Sequence, residues 1–161
     1  MFLAVTTAQW LLTFHITGAF FLVGGSVAAS VLNIMSLRAK QPSDTALFLR
    51  LIRPAVPIIG LGGLLTLVFG LWLVHEDGYK FFSFWVLAAL VLWVVANALG
   101  SLGGKHQEKV RKLAEQLAAQ GNASNDELRA LLRDPRGNAM SWIAGLATLL
   151  LLVDMFWKPG A

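Results

Sequence analysis

Four long apolar stretches constrain the fold of this chain more than any other feature. They cover residues 10–34, 54–74, 82–104 and 139–157. An α-helix needs roughly 20 residues to cross a hydrocarbon core about 30 Å thick, and each stretch is close to that length. The chain is 57% hydrophobic and only 14% charged, unlike an ordinary soluble domain. The sequence therefore predicts an all-α integral membrane protein, with residues 1–161 forming a single transmembrane domain built as a four-helix bundle.

The sequence also excludes several kinds of chemistry. It contains no cysteine, which rules out disulfides, thiolate metal sites, iron–sulfur clusters and covalently attached haem. It has no phosphate-binding glycine loop and no HExxH zinc motif. The first stretch has no basic segment before it and is longer than the apolar core of a cleaved signal peptide, which spans about 7 to 15 residues. We therefore expect it to remain as the first span.

The distribution of basic residues predicts the topology. Eleven of the thirteen lysines and arginines lie in the loops after spans one and three, whereas Lys80 and Lys158 lie on the other side. The positive-inside rule then places both basic loops in the cytoplasm and both termini outside. Because topology accounts for the positive charge, we expect no nucleic-acid partner. The eleven are Arg38, Lys40, Arg50, Arg53, Lys105, Lys109, Arg111, Lys112, Arg129, Arg133 and Arg136.

The loop over residues 105–138 is predicted to form a cytoplasmic amphipathic helical hairpin. Apolar residues recur at helical spacing from Val110 to Leu117, beside basic ones, which indicates an amphipathic helix at the membrane surface or an extension of span three. Gly121 would end this helix. A capping box from Ser124 to Glu127 would open a second helix, which residues 134–137 would end. A hairpin solvated among lipid headgroups is favoured over a pair of helices that docks on a partner.

Small and polar residues mark the faces through which the spans are expected to pack. Membrane helices associate through residues that permit close approach and through hydrogen-bonding side chains. Asn33 and Asn97 fall at similar depth, which predicts a hydrogen bond between them. The predicted packing residues are Gly18, Gly25, Ser26, Asn33, Gly62, Gly63, Gly70, Asn97 and Gly100.

His15 is the strongest candidate functional residue. It lies inside span one, on the same stripe as the small residues, and an ionisable group at membrane depth is a functional-site hypothesis by default. A neutral imidazole could ligate haem iron or copper, so His15 and His75 are candidate cofactor ligands. The helical phase of span two places His75 on the side away from the bundle interior. Asp77, two residues later, would instead lie above the interior. His106, in the basic loop, is expected to be solvated.

Asp154 lies at a depth similar to that of His15, which makes the two residues a candidate metal site. Its phase in span four places it roughly opposite the small residues Ser141, Gly145 and Thr148. It also stands four residues before Lys158, the favourable order for a helical ion pair. An interfacial salt bridge is therefore the alternative to a buried ligand or proton site.

Three segments resemble the bacterial integral membrane family known as domain of unknown function 2269. They are the run from Phe14 to Gly25, the entry into span two from Arg50 to Pro54, and the ending from Asp154 to Pro159. The histidine and glycine pair of span one are also distantly similar to HemJ-type protoporphyrinogen oxidases and CopD-type copper-related membrane domains. Resemblance to those two types implies that His15 binds haem b or copper. The chain departs from the HemJ type at the end of span one and in having no lysine within span three.

Two hypotheses about function follow. The leading one is a protein of the bacterial cytoplasmic (inner) membrane that acts as a non-catalytic or accessory component of a larger complex. Its partners are then the lipid bilayer and other membrane subunits or further copies of the chain. The alternative is a haem- or metal-binding redox protein that uses His15 on the outer side. Enzymatic activity is left open by the sequence.

Overall fold

The computed structural model describes residues 6–160, so the first five residues and Ala161 of the expected domain lie outside the described part. Four helical segments are long and apolar enough to cross a membrane: Thr7–Arg38, Pro42–Glu76, Phe84–Ala119 and Asp126–Trp157. The second and the fourth are each divided in two. The helices are α1 (Thr7–Arg38), α2 (Pro42–Ile52), α3 (Ala55–Glu76), α4 (Phe84–Ala119), α5 (Asp126–Leu132) and α6 (Pro135–Trp157).

The spanning helices pack as two pairs, α1 with α3 and α4 with α6. Gly18 and Gly62 bring the first pair together: a Cβ on Gly62 would lie 2.5 Å from the Leu22 amide nitrogen and 2.7 Å from the Gly18 carbonyl oxygen. In the second pair, a Cβ on Gly103 would lie 2.6 Å from Ser141 Oγ. Small residues therefore set the separation within each pair, as is usual where the surrounding lipid is as apolar as the helices.

The two ends of the bundle differ, and we name them by what they carry. The terminal end holds the start of α1 and the end of α6. The basic end holds α2, α5 and the last turns of α4, which continues to Ala119 beyond the expected span. Its core contains the buried residues Ala46, Leu49, Ile52, Val110, Ala114 and Leu128.

The basic end differs from the expected solvated hairpin because α5 and the end of α4 pack on α2. Residues 42–52, expected to belong to the loop after span one, form helix α2. Ala46, Leu49 and Ile52 nevertheless form one buried face, and Pro42 at the start of the helix provides a φ angle suited to a first turn. The expected pair of helices in residues 105–138 is present, but it is docked within the chain itself.

The helix starts show how local sequence fixes these bounds. Thr6 and Gln9 form a capping box at α1. The cap of α5 is Asn125, whose side chain accepts from the Leu128 amide, so the prediction of a box from Ser124 was wrong by one residue. Asp134 caps α6 through the amides of Arg136 and Gly137. The segment expected only to end α5 therefore also begins the last span.

Candidate functional site: the terminal-end cavity

A cavity of about 280 Å³ opens between the spanning helices at the terminal end. We call it the terminal-end cavity. Most of its lining is apolar, with a small set of polar side chains among which are Gln9, His15, Asp77, Tyr79 and Lys158. An apolar pocket with a few convergent polar groups is the usual form of a small-molecule site.

His15 is half-buried on α1 and is held by the neighbouring helix. Its Nδ1 lies 2.9 Å from the backbone carbonyl oxygen of Thr66 on α3. Because a carbonyl oxygen only accepts, Nδ1 carries the proton of this hydrogen bond, and the neutral ring keeps Nε2 as an acceptor. A backbone carbonyl on one ring nitrogen is the arrangement that fixes a histidine whose other nitrogen binds a ligand.

Gly70 provides the space that the His15 ring occupies. A Cβ at this position would lie 2.8 Å from His15 Cε1 and 2.9 Å from Nδ1. Gly70 also stands one helical turn after Thr66, whose carbonyl binds the ring. Helix α3 thus contributes both the carbonyl oxygen that binds the His15 ring and the space that the ring occupies.

Lys158 brings a positive charge to the same cavity. It ends α6 in a left-handed conformation, with φ of 42°. Its Nζ lies 4.8 Å from the ring centroid of Tyr79 and 5.5 Å from that of Trp85. Such distances are typical of cation–π contacts.

The expected ion pair between Asp154 and Lys158 is not among the salt bridges of the described residues. The chain leaves the helix at Lys158, so the side chain turns toward the aromatic rings instead of following the helical i, i+4 geometry. The backbone amide of Lys158 still donates to the Asp154 carbonyl oxygen at 2.8 Å.

Asp154 is buried, contrary to the expected phase of span four. It shares a face with Ala144, Ala147 and Leu151, all buried. The buried face of α6 is centred on Ala147 and Leu151, whereas Ser141 and Gly145, from which the phase was taken, are only partly buried at its edge. The Asp154 side chain is 9% exposed, and Oδ2 has no hydrogen-bond partner within residues 6–160.

Trp85, like Asp154, has a buried polar atom without a hydrogen-bond partner in the described residues. It is 4% exposed and lines the cavity, yet its indole Nε1 lacks a partner in the described part of the chain. Buried polar atoms are nearly always hydrogen-bonded. The two unpartnered atoms lie near the start of α4 and the end of α6, both at the terminal end.

The structure does not bring His15 and His75 together. His75 is exposed and stacks on Phe81, with ring centroids 6.3 Å apart. Asp77 lines the cavity, as its phase predicted. Asp154, the other candidate metal ligand, is not among the residues that line it. Across residues 6–160, no group of three or more His, Asp or Glu side chains could hold a metal ion.

A second and larger space lies at the basic end. This basic-end cleft has a volume of about 700 Å³ and separates the two helix pairs. Asn33 and Asn97 both line it but do not bond each other: Asn97 Nδ2 donates to the Trp93 carbonyl oxygen at 2.8 Å. The cleft keeps the two amides apart, which contradicts the hydrogen bond expected from depth alone.

Three further predicted packing residues, Ser26, Gly63 and Gly100, lie where the pairs face each other. Ser26 and Gly100 line the cleft. The Gly63 carbonyl oxygen accepts a hydrogen bond from Trp93 Nε1 at 3.1 Å. On α1, Gly25 faces Ile59 of the neighbouring helix.

His106 is half-buried, not solvated as expected. Its Nε2 lies 3.1 Å from the Leu131 carbonyl oxygen, and its Nδ1 lies 3.6 Å from Asp134 Oδ2. The ring fills the space beside Gly137. His106 therefore joins α4 to the start of α6 and lies far from the terminal-end cavity.

Sequence reasoning missed Thr66, Trp85 and Lys158 as members of the site around His15. Thr66 stands one helical turn before the predicted packing residue Gly70, and this was the available signal for the first. No pattern in the sequence placed Trp85 beside His15, and Lys158 was expected to pair with Asp154. These residues share one cavity only because the four spanning helices α1, α3, α4 and α6 approach one another.

Comparison with known proteins agrees with the fold and supplies a family. No curated protein and no solved structure shows a significant match to the chain. A family described as "Predicted integral membrane protein (DUF2269)" matches residues 9–159, which is nearly the whole chain. The chain belongs to this family of integral membrane proteins.

Proposed function

We propose that the chain is a non-catalytic, accessory component of a larger complex in the bacterial cytoplasmic membrane, and that it contributes a small-molecule site. The observation that carries the proposal is the His15 ring, fixed through Nδ1 by Thr66 beside a cavity. Thr66 and Gly70 of α3 hold one imidazole beside a cavity that the four spanning helices line, and Nε2 of the ring is left to accept a hydrogen bond from a ligand.

The lining defines the ligand class. His15 Nε2 would accept from a hydroxyl or carboxyl group, while the Lys158 ammonium would donate to an oxygen atom of the ligand. The remaining surface is apolar. A small, mainly apolar molecule that carries a hydroxyl or carboxyl group fits this set.

Haem or metal binding is the second candidate, because Nε2 of His15 could ligate iron or copper. A volume of 280 Å³ lies at the lower end of the range for drug-sized ligands, about 300 to 1,000 Å³. A porphyrin would therefore have to separate the helices. The volume favours the smaller organic ligand.

Purification in a mild detergent from a haem-replete host tests both candidates. Absorbance, metal analysis and mass spectrometry of extracts would be compared for the wild type, His15→Ala and His75→Ala. We expect one organic ligand per chain in the wild type and in His75→Ala, and none in His15→Ala. The exposed His75 is the matched control.

Other results would decide against the proposal. A Soret band or stoichiometric copper that disappears in His15→Ala would favour the second candidate. A wild type without any ligand, or a ligand retained by His15→Ala, would overturn the site. An accessory role further requires that other membrane proteins copurify with the wild type; isolation of the chain alone after crosslinking in intact cells would contradict it.

The proposed orientation has both termini outside and the basic end in the cytoplasm. It is supported by the excess of lysine and arginine in the two basic loops. Because the sequence lacks cysteine, Lys80→Cys and Lys40→Cys provide single labelling sites with the same change in charge. An impermeant maleimide applied to intact cells should label the first and not the second; the opposite pattern would reverse the orientation.

A further inference from the structure

The basic-end cleft is a space between helices that protein atoms leave unfilled. Apart from the docking of α2, the two helix pairs meet where α1 contacts α6 and where α4 contacts α3 through Trp93 and Val74. Gly60 and Gly145 line the cleft, and a Cβ built on either would have no atom within 4 Å. Unfilled apolar space loses the dispersion contacts that normally stabilise an interior, so we expect it to be occupied in a bilayer.

The walls of the cleft change in character along its length. Leu22, Ile59 and Ala144 provide an apolar surface in the deeper part. Ser30 and Asn33 provide hydroxyl and amide groups closer to the basic end. An occupant that is apolar at one end and carries hydrogen-bond acceptors toward the other would match this order.

The rim adds positive charge. Arg53, Lys105 and Arg111 line the cleft together with one carboxylate, Glu108. Arg111 is paired with Glu115 at 2.8 Å. Glu108 is likewise paired, with Lys112.

Arg53 and Lys105 make no ion pair with any residue in the described part of the chain. The rim therefore presents two uncompensated cations beside the polar section of the cleft. Basic pockets between spanning helices are sites where anionic lipid headgroups bind.

We propose that the basic-end cleft binds one anionic phospholipid. An acyl chain lies along Leu22 and Ile59, the ester oxygens meet Ser30 and Asn33, and the phosphate lies between Arg53 and Lys105. The site is separate from the terminal-end cavity, because the apolar cluster of Leu22, Ala89 and Leu151 closes the space between them.

Native mass spectrometry of the protein released from nanodiscs tests the proposal. The nanodiscs contain equal amounts of dioleoylphosphatidylglycerol and dioleoylphosphatidylcholine. We expect the wild type to retain one phosphatidylglycerol with a preference of about tenfold or more, since each basic residue near anionic lipid contributes about 1 kcal/mol, or roughly fivefold.

Two variants examine the two parts of the site. Arg53→Gln with Lys105→Gln should reduce the preference to near parity, whereas Arg38→Gln with Lys40→Gln should leave it unchanged. The control removes two basic residues at the same end that are outside the cleft. Far-UV circular dichroism checks that each variant is folded.

Gly60→Leu with Gly145→Leu should abolish retention of both lipids because the new side chains fill the cleft. Gly24→Leu is the control, since a Cβ there is equally free of contacts and the residue lines neither space.

Four results would overturn the proposal: no preference in the wild type, an unchanged preference in the charge variant, displacement of the lipid by inorganic phosphate alone, or a lipid-free dimer that closes the cleft.

Discussion

The two ends of the bundle are stabilised in different ways. At the basic end, Ala114 and Leu128 are 0% and 1% exposed in a core formed by three helices. At the terminal end, the spanning helices leave a cavity of about 280 Å³. The buried side-chain atoms without a hydrogen-bond partner in residues 6–160, Trp85 Nε1 and Asp154 Oδ2, both belong to that end.

This contrast follows from the solvent at each end. Where helices leave the hydrocarbon, burying apolar side chains removes them from water and is strongly favourable. Within lipid, burying apolar side chains gains little free energy because the lipid tails are equally apolar, so helices associate through small residues and polar contacts. The terminal end can therefore retain an open, partly polar site. At the basic end the helix pairs also leave a cleft between them, but the core formed by α2, α4 and α5 holds them together.

The largest expected effect is at the core of the basic end. Leu128→Ala removes a fully buried side chain, and we expect it to weaken the docking of α5 by about 2 to 5 kcal/mol. Hydrogen exchange should show loss of protection in α2 and α5. Leu47→Ala, at an exposed position of α2, is the control, and equal protection in the two variants would show that the core does not hold the hairpin.

A smaller effect is expected within the membrane, at the contact of α1 with α3. Gly62→Ala places a methyl group against the backbone of Leu22 and Gly18, which should lower the free energy of unfolding by about 1 to 3 kcal/mol. Denaturant titration in mixed micelles would measure it beside Gly24→Ala, whose new methyl group meets no atom. Equal denaturation midpoints for the two variants would show that α1 and α3 move apart to admit the methyl group without loss of stability.

Replacing a polar group at the terminal end should have the opposite sign. Asp154→Leu removes a buried carboxyl oxygen that has no partner in the described residues, so we expect a gain of about 1 to 2 kcal/mol in the free energy of unfolding. Glu76→Leu, on an exposed residue at the same end, should change little. A loss of stability in Asp154→Leu would show that Oδ2 has a hydrogen-bond partner. The two ends of the bundle would then not differ in the hydrogen bonding of their buried polar atoms.

The smallest change is expected at Lys158. Lys158→Gln removes the cation above Tyr79 and Trp85 and should reduce the free energy of unfolding by about 0.5 to 1 kcal/mol. Thermal unfolding followed by circular dichroism would detect it, with Lys80→Gln as a control that removes the other basic residue of this end. Similar stability of the two variants would indicate that the Lys158 cation does not stabilise the fold and serves only as part of the cavity lining.

Most of the fold could be predicted because the length of apolar stretches directly limits what can cross a bilayer. The extension of α4 and the presence of α5 also followed from apolar spacing and a turn at Gly121. Helix α2 escaped because the segment from Ala46 to Ile52, although apolar apart from Arg50, is too short to span a membrane and lies among the basic residues of the loop. Its start at Pro42 and its stop before Pro54 were the available signals.

The site was predictable only in its first residue. His15 was identified because an ionisable group is costly at membrane depth. Its neighbours depended on interhelical distances: the Thr66 carbonyl is a backbone atom, and the gap at Gly70 matters only because α1 lies against it. Asp154 was misplaced because the buried face of α6 is centred on Ala147 and Leu151 and not on Ser141 and Gly145. Lys158 was misplaced because the chain turns left-handed there and leaves the helix.

The pairing of the spanning helices also bears on the order in which the protein is assembled during synthesis. Helix α3 contacts α1, which precedes it with only α2 between them, and α6 contacts α4 in the same relation to α5. Each pair can close as soon as its second helix has entered the bilayer, because no helix must await a distant partner. Short-range contacts of this kind favour fast folding, and an N-terminal half that folds first would give the second half a template on which α2 is already in place.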